Sequence, residues 1–198
     1  MAIIVDKVQK NRDIALSCRD IFFKNGIRNL TISQIAKTAG IGKGTIYDYF
    51  RNKEDIVFEI VSIMIQERNL TLEALISEIK STKGKIKLFG SFFYSDEDTQ
   101  LRGLYKEFIS IALSSPDEEM RRFQTECFNS YYLWFERIIE DAISSGEIIA
   151  EAKQLCKGLF VSAEGMFISS LATNAIGNVK DEIDGFVDAL FKLVEVKK

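Results

Sequence analysis

The chain of 198 residues contains no histidine, and this absence excludes several kinds of site at once. Ser-His-Asp and Cys-His catalytic arrangements cannot form, and neither can metal sites that depend on imidazole ligands. Adjacent acids such as Glu118/Glu119 and Glu140/Asp141 remain, but neighbouring helical residues do not face each other. The sequence therefore predicts a protein that is not an enzyme and that uses no cofactor and no metal.

Proline and cysteine are scarce as well. A single proline, Pro116, and the lack of alternating β-branched residues favour helices throughout the chain. The three cysteines, Cys18, Cys127 and Cys156, have no metal-site spacing and lie among apolar residues, which favours buried packing over redox sensing in a reducing compartment. Residues 1–6 lack the charged lead and cleavage site of a secretory signal, so we expect a cytoplasmic protein.

Long hydrophobic runs are missing too. No stretch approaches the roughly 20 apolar residues that span a membrane. The best candidate, residues 56–65, is interrupted by Glu59, so the sequence predicts no membrane partner. Apolar residues nevertheless make up 46% of the chain, which is ample for a folded core.

Charge is unevenly distributed along the chain. Residues 1–55 hold ten Lys/Arg and six Asp/Glu, a net charge of +4, whereas the remainder carries −7. A basic amino-terminal part on an acidic body suits a module that contacts phosphates while the rest stays in solution. Ordinary surface charge explains the same asymmetry, so this pattern needs support from a motif.

That motif lies in residues 31–53. Thr31 and Gln34 have the spacing of a capping box, which starts a short helix. Gly40 ends this helix because glycine adopts the left-handed conformation at little cost, and a second short helix then runs to Phe50 with Ile46 inward. Two short helices joined by such a turn predict a helix-turn-helix, whose second helix enters a DNA major groove. Plain helical bundles contain similar hairpins, so the outward residue types decide between the two.

This stretch, with its outward residues, resembles the DNA-binding signature of the tetracycline-repressor (TetR) family of bacterial transcriptional regulators. The resemblance covers residues 8–60 and departs from the family pattern at two positions, where Gly42 replaces a frequent Ser and Tyr49 a frequent His. The matching residues are Thr31, Ile35-Ala36, Ala39-Gly40-Ile41, Lys43-Gly44-Thr45-Ile46-Tyr47, Tyr49-Phe50 and Lys53.

The resemblance implies a role for each outward residue. It implies that base edges are contacted by Lys43, Gly44 and Thr45. It implies phosphate contacts by Thr31, Tyr47, Tyr49 and Lys53, while either kind of contact is open to Ser33 and Gln34. Asp48 fits neither group, because an acid near phosphates is unfavourable unless it accepts a hydrogen bond from a cytosine amine.

Beyond residue 53 the periodicity predicts more helices, about nine in the whole chain. A long fourth helix extends to about residue 77, and the later helices cover residues 83–94, 101–113, 114–145, 152–174 and 180–196. The predicted fold is all-α, with a three-helix helix-turn-helix DNA-binding domain over residues 1–52. Residues 53–198 form a larger helical domain for ligand binding and dimerisation.

Aromatic residues are abundant in this larger domain and pack first of all as core. Members of the TetR family hold a ligand pocket between helices four to eight, so the resemblance implies a pocket here. A ring-rich lining suits a lipophilic or aromatic small-molecule effector. The candidate lining residues are Ile63, Phe92, Phe108, Phe128, Tyr131, Tyr132, Phe135 and Phe167.

The last two helices predict a homodimer. Small residues on helix eight allow close approach, and helix nine has an apolar stripe, so the two helices of each subunit are expected to pair as a four-helix bundle. The helix-eight candidates are Gly158, Ser162, Gly165 and Ser169. The helix-nine candidates are Ile183, Phe186, Val187, Leu190, Phe191 and Val194.

The sequence as a whole predicts a sequence-specific DNA-binding transcriptional regulator. We expect a homodimeric repressor on a near-palindromic double-stranded DNA operator, released by a small and mostly apolar ligand. The alternative is a helical small-molecule-binding or scaffolding protein without operator recognition. Operator selection from random DNA separates the two.

Overall fold

The computed structural model describes residues 6–114 and 118–197, and the fold in these ranges is all-α, as predicted. Nine helices cover them: α1 (Lys7–Asn25), α2 (Ile32–Thr38), α3 (Lys43–Tyr49), α4 (Lys53–Glu78), α5 (Thr82–Gly90), α6 (Thr99–Ser114), α7 (Glu118–Ser144), α8 (Ala152–Ala172) and α9 (Val179–Val194). A 3-10 turn over Ser91–Phe93 follows α5, and the β pairing found in the described ranges is one antiparallel bridge between Ile148 and Glu195.

Three predicted carboxyl-terminal helix ends differ from the structure by more than one residue. Helix five was expected to reach residue 94, but the α-helix ends at Gly90 and tightens into the 3-10 turn. The Ser91 hydroxyl donates to the Leu88 carbonyl there, and the methyl group of Ile183 lies where a side chain on Gly90 would be. Helices eight and nine each end two residues earlier than predicted. The predicted helix start around Pro116 falls on residues 115–117, outside the described ranges.

The chain divides by its contacts into two compact units, which we describe separately. The first unit contains residues 1–70 and 100–123, and the second contains residues 71–99 and 124–198. The predicted domain boundary between residues 52 and 53 stays a prediction, because these units are defined by packing alone.

The core of the first unit is built on α1, α2 and α3. Its central side chains are at most 5% exposed, and they are Ile14, Cys18, Phe22, Ile27, Leu30, Ile35, Ala36, Ile46 and Phe50. The apolar face of α1 and the inner faces of the two short helices therefore close on each other. This packing leaves the opposite faces of α2 and α3 to solvent.

The turn after α1 is held by α6, which follows it by about 80 residues in the chain. Gly26 ends α1 with φ 75° and ψ 165°, and the Glu107 carboxylate lies directly against it. The Ile27 backbone N–H donates to Glu107 Oε2 at 2.7 Å, and the Arg28 guanidinium donates to the Ser114 hydroxyl at 2.8 Å. The segment that leads into α2 is thus fixed by polar contacts from α6.

Three aromatic rings pack α4, α6 and α7 together in the same unit. Phe58 stacks on Phe123 with ring centroids 4.6 Å apart, and Phe108 meets both rings edge-on at 5.9 and 5.8 Å. Edge-to-face and offset-stacked pairs are favourable aromatic geometries. The first unit therefore combines α1, α2 and α3 with aromatic packing from α4, α6 and α7.

The second unit packs α5 and α9 against each other and against α7 and α8. Glu147, after α7, accepts hydrogen bonds from both the Thr82 backbone N–H at 3.0 Å and the Thr82 hydroxyl at 2.5 Å. Lys87 and Lys83 pair with Asp188 at 2.8 and 3.4 Å and tie α5 to α9. The start of α5 is therefore satisfied by a carboxylate, as helix N-termini favour.

The three cysteines are free thiols in the structure. Cys18 and Cys156 are buried, and Cys127 is half-buried. Burial raises the pKa of all three thiols, that of Cys127 to about 11. A raised thiol pKa lowers the thiolate fraction at neutral pH, which agrees with packing as their role.

The prediction that no stretch is long enough to span a membrane was wrong for α8. By length and composition alone this 21-residue helix could cross a membrane. Of its most apolar 18-residue stretch, 22% is buried inside the chain. The helix is apolar on two faces rather than one. Its outward face includes Leu155, Val161 and Ile168, which are 36–45% exposed.

Candidate nucleic-acid interface

The start of α2 has the capping box that its sequence predicts. Thr31 Oγ1 accepts a hydrogen bond from the Gln34 backbone N–H at 3.3 Å, and Gln34 Oε1 accepts from the Thr31 backbone N–H at 2.9 Å. Gly40 follows the helix with φ 68°. These contacts satisfy two of the free N–H groups at the start of the helix. They fix where α2 begins and where the turn to α3 lies.

Helix α3 separates a buried side from an exposed side within seven residues. Ile46 is 0% exposed and anchors the helix in the core, and Phe50 follows the helix at 5%. Lys43, Gly44 and Tyr47 are exposed on the other side, Tyr47 to 52%. A side chain added at Gly44 would meet no atom within 4 Å. The outer surface of α3 is therefore polar, uncovered and bare at Gly44, which lets a flat partner approach the backbone closely.

The predicted DNA contacts lie on one part of the first unit. Thr31, Ser33, Gln34, Lys43, Gly44 and Tyr47 are exposed, whereas Thr45, Tyr49 and Lys53 are half-buried. The structure thus brings the outer faces of α2 and α3 together with the start of α4. The individual base and phosphate contacts stay predictions.

Lys53 has a structural contact that the sequence did not reveal. Its ammonium donates to the Arg28 and Leu30 carbonyls at 3.0 and 3.1 Å. These carbonyls belong to the turn before α2, so Lys53 joins the start of α4 to that turn. A substitution of Lys53 would therefore disturb the fold as well as any phosphate contact.

Arg51, between α3 and α4, is a second residue whose role the sequence did not reveal. Its guanidinium forms a two-point ion pair with Asp55 at 3.0 and 3.1 Å and also contacts Glu119 at the start of α7. Hydrogen bonds to Asp55 and then to Glu119 raise the pKa of Arg51. The segment that leaves α3 is therefore held by α7, as the segment that enters α2 is held by α6.

The predicted pocket residues are divided between the two units. Ile63 and Phe108 are buried in the first unit, at 1% and 3% exposure. The other six, Phe92, Phe128, Tyr131, Tyr132, Phe135 and Phe167, belong to the second unit. Sequence reasoning missed the residue at the centre of the main ring group, Phe160 on α8.

Phe160 contacts three of the predicted rings on α7. Its ring centroid lies 5.2 Å from Phe128, 5.6 Å from Tyr132 and 5.3 Å from Phe135. The Tyr132 hydroxyl donates to Glu136 at 3.0 Å, and Lys157 places its ammonium 5.0 Å from the Tyr132 ring centre. This aromatic cluster is thus apolar inside and has a cation and a carboxylate at one edge.

The predicted dimer-interface residues on α9 are mostly inside their own chain. Ile183, Val187, Phe191 and Val194 are 2–4% exposed because they pack against the other helices of the second unit. Among the predicted α9 residues, Phe186 is 40% exposed and Leu190 is half-buried, and the interface itself stays a prediction. The sequence showed the apolar stripe but not which helix covers it. Leu193, which is 77% exposed, is a further outward apolar residue of α9 that was not among the candidates.

The predicted dimer-interface residues of α8 lie on the outward side of that helix. Gly158, Gly165 and Ser169 are exposed and Ser162 is half-buried. Side chains added at either glycine would meet no atom within 4 Å. The exposed aliphatic residues of α8 flank this small-residue row, which leaves a flat apolar face without a partner in the described part of the chain.

Comparisons with known proteins bear on both halves of the chain. A family model described as bacterial regulatory proteins of the tetR family matches residues 18–60. The fatty acid metabolism regulator protein of Bacillus subtilis (strain 168) is 31% identical over 131 residues, an alignment that covers 65% of this chain and 66% of that protein.

Two solved structures share the fold over nearly the whole chain. A transcriptional regulator of the TetR family from Cytophaga hutchinsonii has a TM-score of 0.78 at 16% identity and covers 99% of this chain and 100% of its own. The fatty acid degradation regulator from Bacillus halodurans has a TM-score of 0.65 at 19% identity, with coverage of 91% and 94%. At these identities the likeness concerns the fold alone.

Proposed function

Because the chain belongs to the TetR family of bacterial regulatory proteins, whose members are DNA-binding transcriptional regulators, we propose that it is a homodimeric repressor of a near-palindromic operator. A small apolar effector releases it, and it acts in the cytoplasm. The observation that carries the proposal is α3, which is anchored by Ile46 and exposes Lys43, Gly44 and Tyr47 on an uncovered face. An exposed recognition helix of this kind fits the major groove.

The DNA contacts are tested by binding titrations on an operator selected from random DNA. Lys43→Ala is expected to relax base preference by ~1–3 kcal/mol and to lower the salt slope by about one. Tyr47→Phe, which removes one exposed hydroxyl, should weaken binding equally on all sequences. Lys24→Ala, which removes an exposed positive charge at the end of α1, is the control. Unchanged affinity and preference in Lys43→Ala would contradict this docking.

The homodimer is supported by the outward face of α8. Large apolar side chains at Leu155, Val161, Ile168 and Leu171 are 36–54% exposed, and an apolar face of this kind normally meets a partner. A second copy is the occupant that fits a two-fold operator, because a single short recognition helix reads too few bases.

Sedimentation tests the dimer directly. Ile168→Glu is expected to give monomers or aggregates, whereas Leu70→Glu, an equally drastic change at a residue of α4 that is 71% exposed, should leave the dimer intact. A folded wild-type monomer at micromolar concentration would rule the dimer out.

The effector proposal is supported by the aromatic cluster around Phe160. Its rings offer an apolar surface, and Lys157 lies at its edge. The B. subtilis relative is named for fatty acid metabolism, so acyl-chain compounds are the first class to test, with uncharged aromatic compounds second.

The contacts of the first unit support a route for the switch. Glu107 holds the Ile27 N–H before α2, and Glu119 holds Arg51 after α3. A shift of α6 therefore moves the segment that enters α2, and a shift of α7 moves the segment that leaves α3. The effector must favour the conformation in which operator binding is weak, because equal affinity for both conformations shifts nothing.

Calorimetry with and without operator is the test. A coupling of ~1–3 kcal/mol would lower effector affinity about 5–150-fold when operator is bound. Equal effector affinity in both conditions would refute the switch and leave DNA binding untouched.

A further inference from the structure

Asp48 is an acid on the outer face of α3 whose role is unexplained by the fold. It is exposed, and within residues 6–114 and 118–197 no other side chain or backbone group pairs with its carboxylate. The other aspartates of the first 55 residues all have partners. Asp6 caps α1, Asp13 accepts from Gln9, Asp20 lies 3.9 Å from Arg19, and Asp55 pairs with Arg51. The Asp48 carboxylate therefore makes no contact that stabilises the described part of the fold.

Asp48 lies one helical turn after Gly44, and both residues are exposed on α3. Residues four positions apart lie on the same face of a helix, and the earlier of the two here has no side chain. The space above Gly44 is open to at least 4 Å. A surface that approaches the bare backbone at Gly44 therefore also comes close to the exposed Asp48 side chain on the same face.

The chemistry of a carboxylate limits what it can recognise in a major groove. An ionised carboxylate accepts hydrogen bonds and donates none. Guanine presents two acceptors, and adenine presents an acceptor beside its amine, whereas cytosine presents an amine donor alone. Phosphates repel the carboxylate as well. Cytosine is thus the base whose edge fits Asp48.

We propose that Asp48 is a specificity-determining residue that accepts a hydrogen bond from the N4 amine of one cytosine in each operator half-site. The same charge weakens binding wherever the groove offers guanine or a phosphate at that point, so Asp48 lowers affinity for other sequences. This inference rests on the proposed docking of α3 in the major groove.

The test is operator selection with wild-type protein, Asp48→Asn and Asp48→Ala. Wild-type protein is expected to select a cytosine at one position per half-site and to lose roughly 10- to 100-fold in affinity when another base replaces it. Asparagine offers a donor beside an acceptor, so Asp48→Asn should shift the preference at that position to adenine. Asp48→Ala should show little preference there and should bind non-specific DNA more tightly.

Two controls separate base recognition from charge. Asp20→Asn removes the same charge from a side chain that is 94% exposed on α1, and it should leave the base preference unchanged. An operator in which the selected cytosine is replaced by a 2-pyrimidinone nucleotide, which lacks the amine, should weaken wild-type binding and leave Asp48→Ala binding unaffected.

The outcomes distinguish this inference from the proposed function. If wild-type protein selects an operator but Asp48→Asn and Asp48→Ala have the same preference at every position, the inference is overturned and operator binding stands. The inference also fails if loss of the amine weakens wild-type and Asp48→Ala binding equally. If wild-type protein selects no operator, both the inference and the proposed function fail.

Discussion

Gly26 is the position where a single methyl group should damage the fold most clearly. Its φ of 75° and ψ of 165° lie in a region that essentially only glycine adopts, at a cost of ~1–3 kcal/mol for other residues. A Cβ there would lie 2.9 Å from Glu107 Oε1 and 3.3 Å from Oε2. The carboxylate would have to move away from the Ile27 N–H, from which it now accepts a hydrogen bond at 2.7 Å.

The expected cost of Gly26→Ala follows from these two effects. Loss of a hydrogen bond to a charged acceptor costs about 1.5–3 kcal/mol, which brings the sum with the backbone strain to roughly 2.5–6 kcal/mol. For a chain of this size the melting temperature should fall by about 2–4 °C for each kcal/mol. Thermal unfolding followed by circular dichroism measures the change.

Gly103→Ala provides the matched control. Gly103 lies inside α6, and a Cβ there meets nothing within 4 Å. The same substitution should therefore raise stability by about 0.5–1 kcal/mol, because alanine is a better helix former. The double variant Gly26→Ala/Glu107→Ala should lose less than the sum of its single variants, since both remove one hydrogen bond. A Gly26→Ala protein with the same melting temperature as the wild type would refute this reasoning.

Three further predictions concern the core, the salt bridges and the thiols. Ile46→Ala should cost ~2–5 kcal/mol in unfolding titrations because the side chain is fully buried, whereas Tyr47→Ala next to it should change stability by less than about 1 kcal/mol. Lys87 and Lys83 lower the pKa of Asp188, so its contribution is present above the ordinary value of 3.8 and is lost as the pH falls through the lowered pKa. The melting temperatures of wild type and Asp188→Asn should therefore differ at pH 7 and converge in acid, and a constant difference would contradict this. Burial raises the pKa of Cys127 to about 11, so native Cys127 should react with iodoacetamide at pH 8 roughly 100-fold more slowly than in urea, measured by mass spectrometry.

The sequence predicted the features that depend on neighbouring residues. The Thr31–Gln34 capping box and the left-handed Gly40 are both set by residues within a few positions of each other. Local contacts of this kind follow from residue type and spacing. The helix-turn-helix could therefore be predicted in detail.

Features that join distant parts of the chain could not be predicted in the same way. Periodicity marks α9 as apolar on one side, but it does not say that Ile183 and Val187 face their own chain while Leu193 faces outward. Nor does any local pattern identify Glu107 as the acceptor for Ile27 or Phe160 as the centre of the aromatic cluster. Each of these depends on how helices pack, which one sequence does not determine.

The discontinuous first unit has a consequence for synthesis on the ribosome. When residue 70 has just been made, Phe58 still lacks its ring partners Phe108 and Phe123, and the Ile27 N–H lacks its acceptor. The amino-terminal helices must therefore wait for about 50 more residues before their packing is complete. During that interval the nascent chain exposes apolar surface that chaperones recognise, and a fragment that ends at residue 70 would carry the same exposed surface permanently.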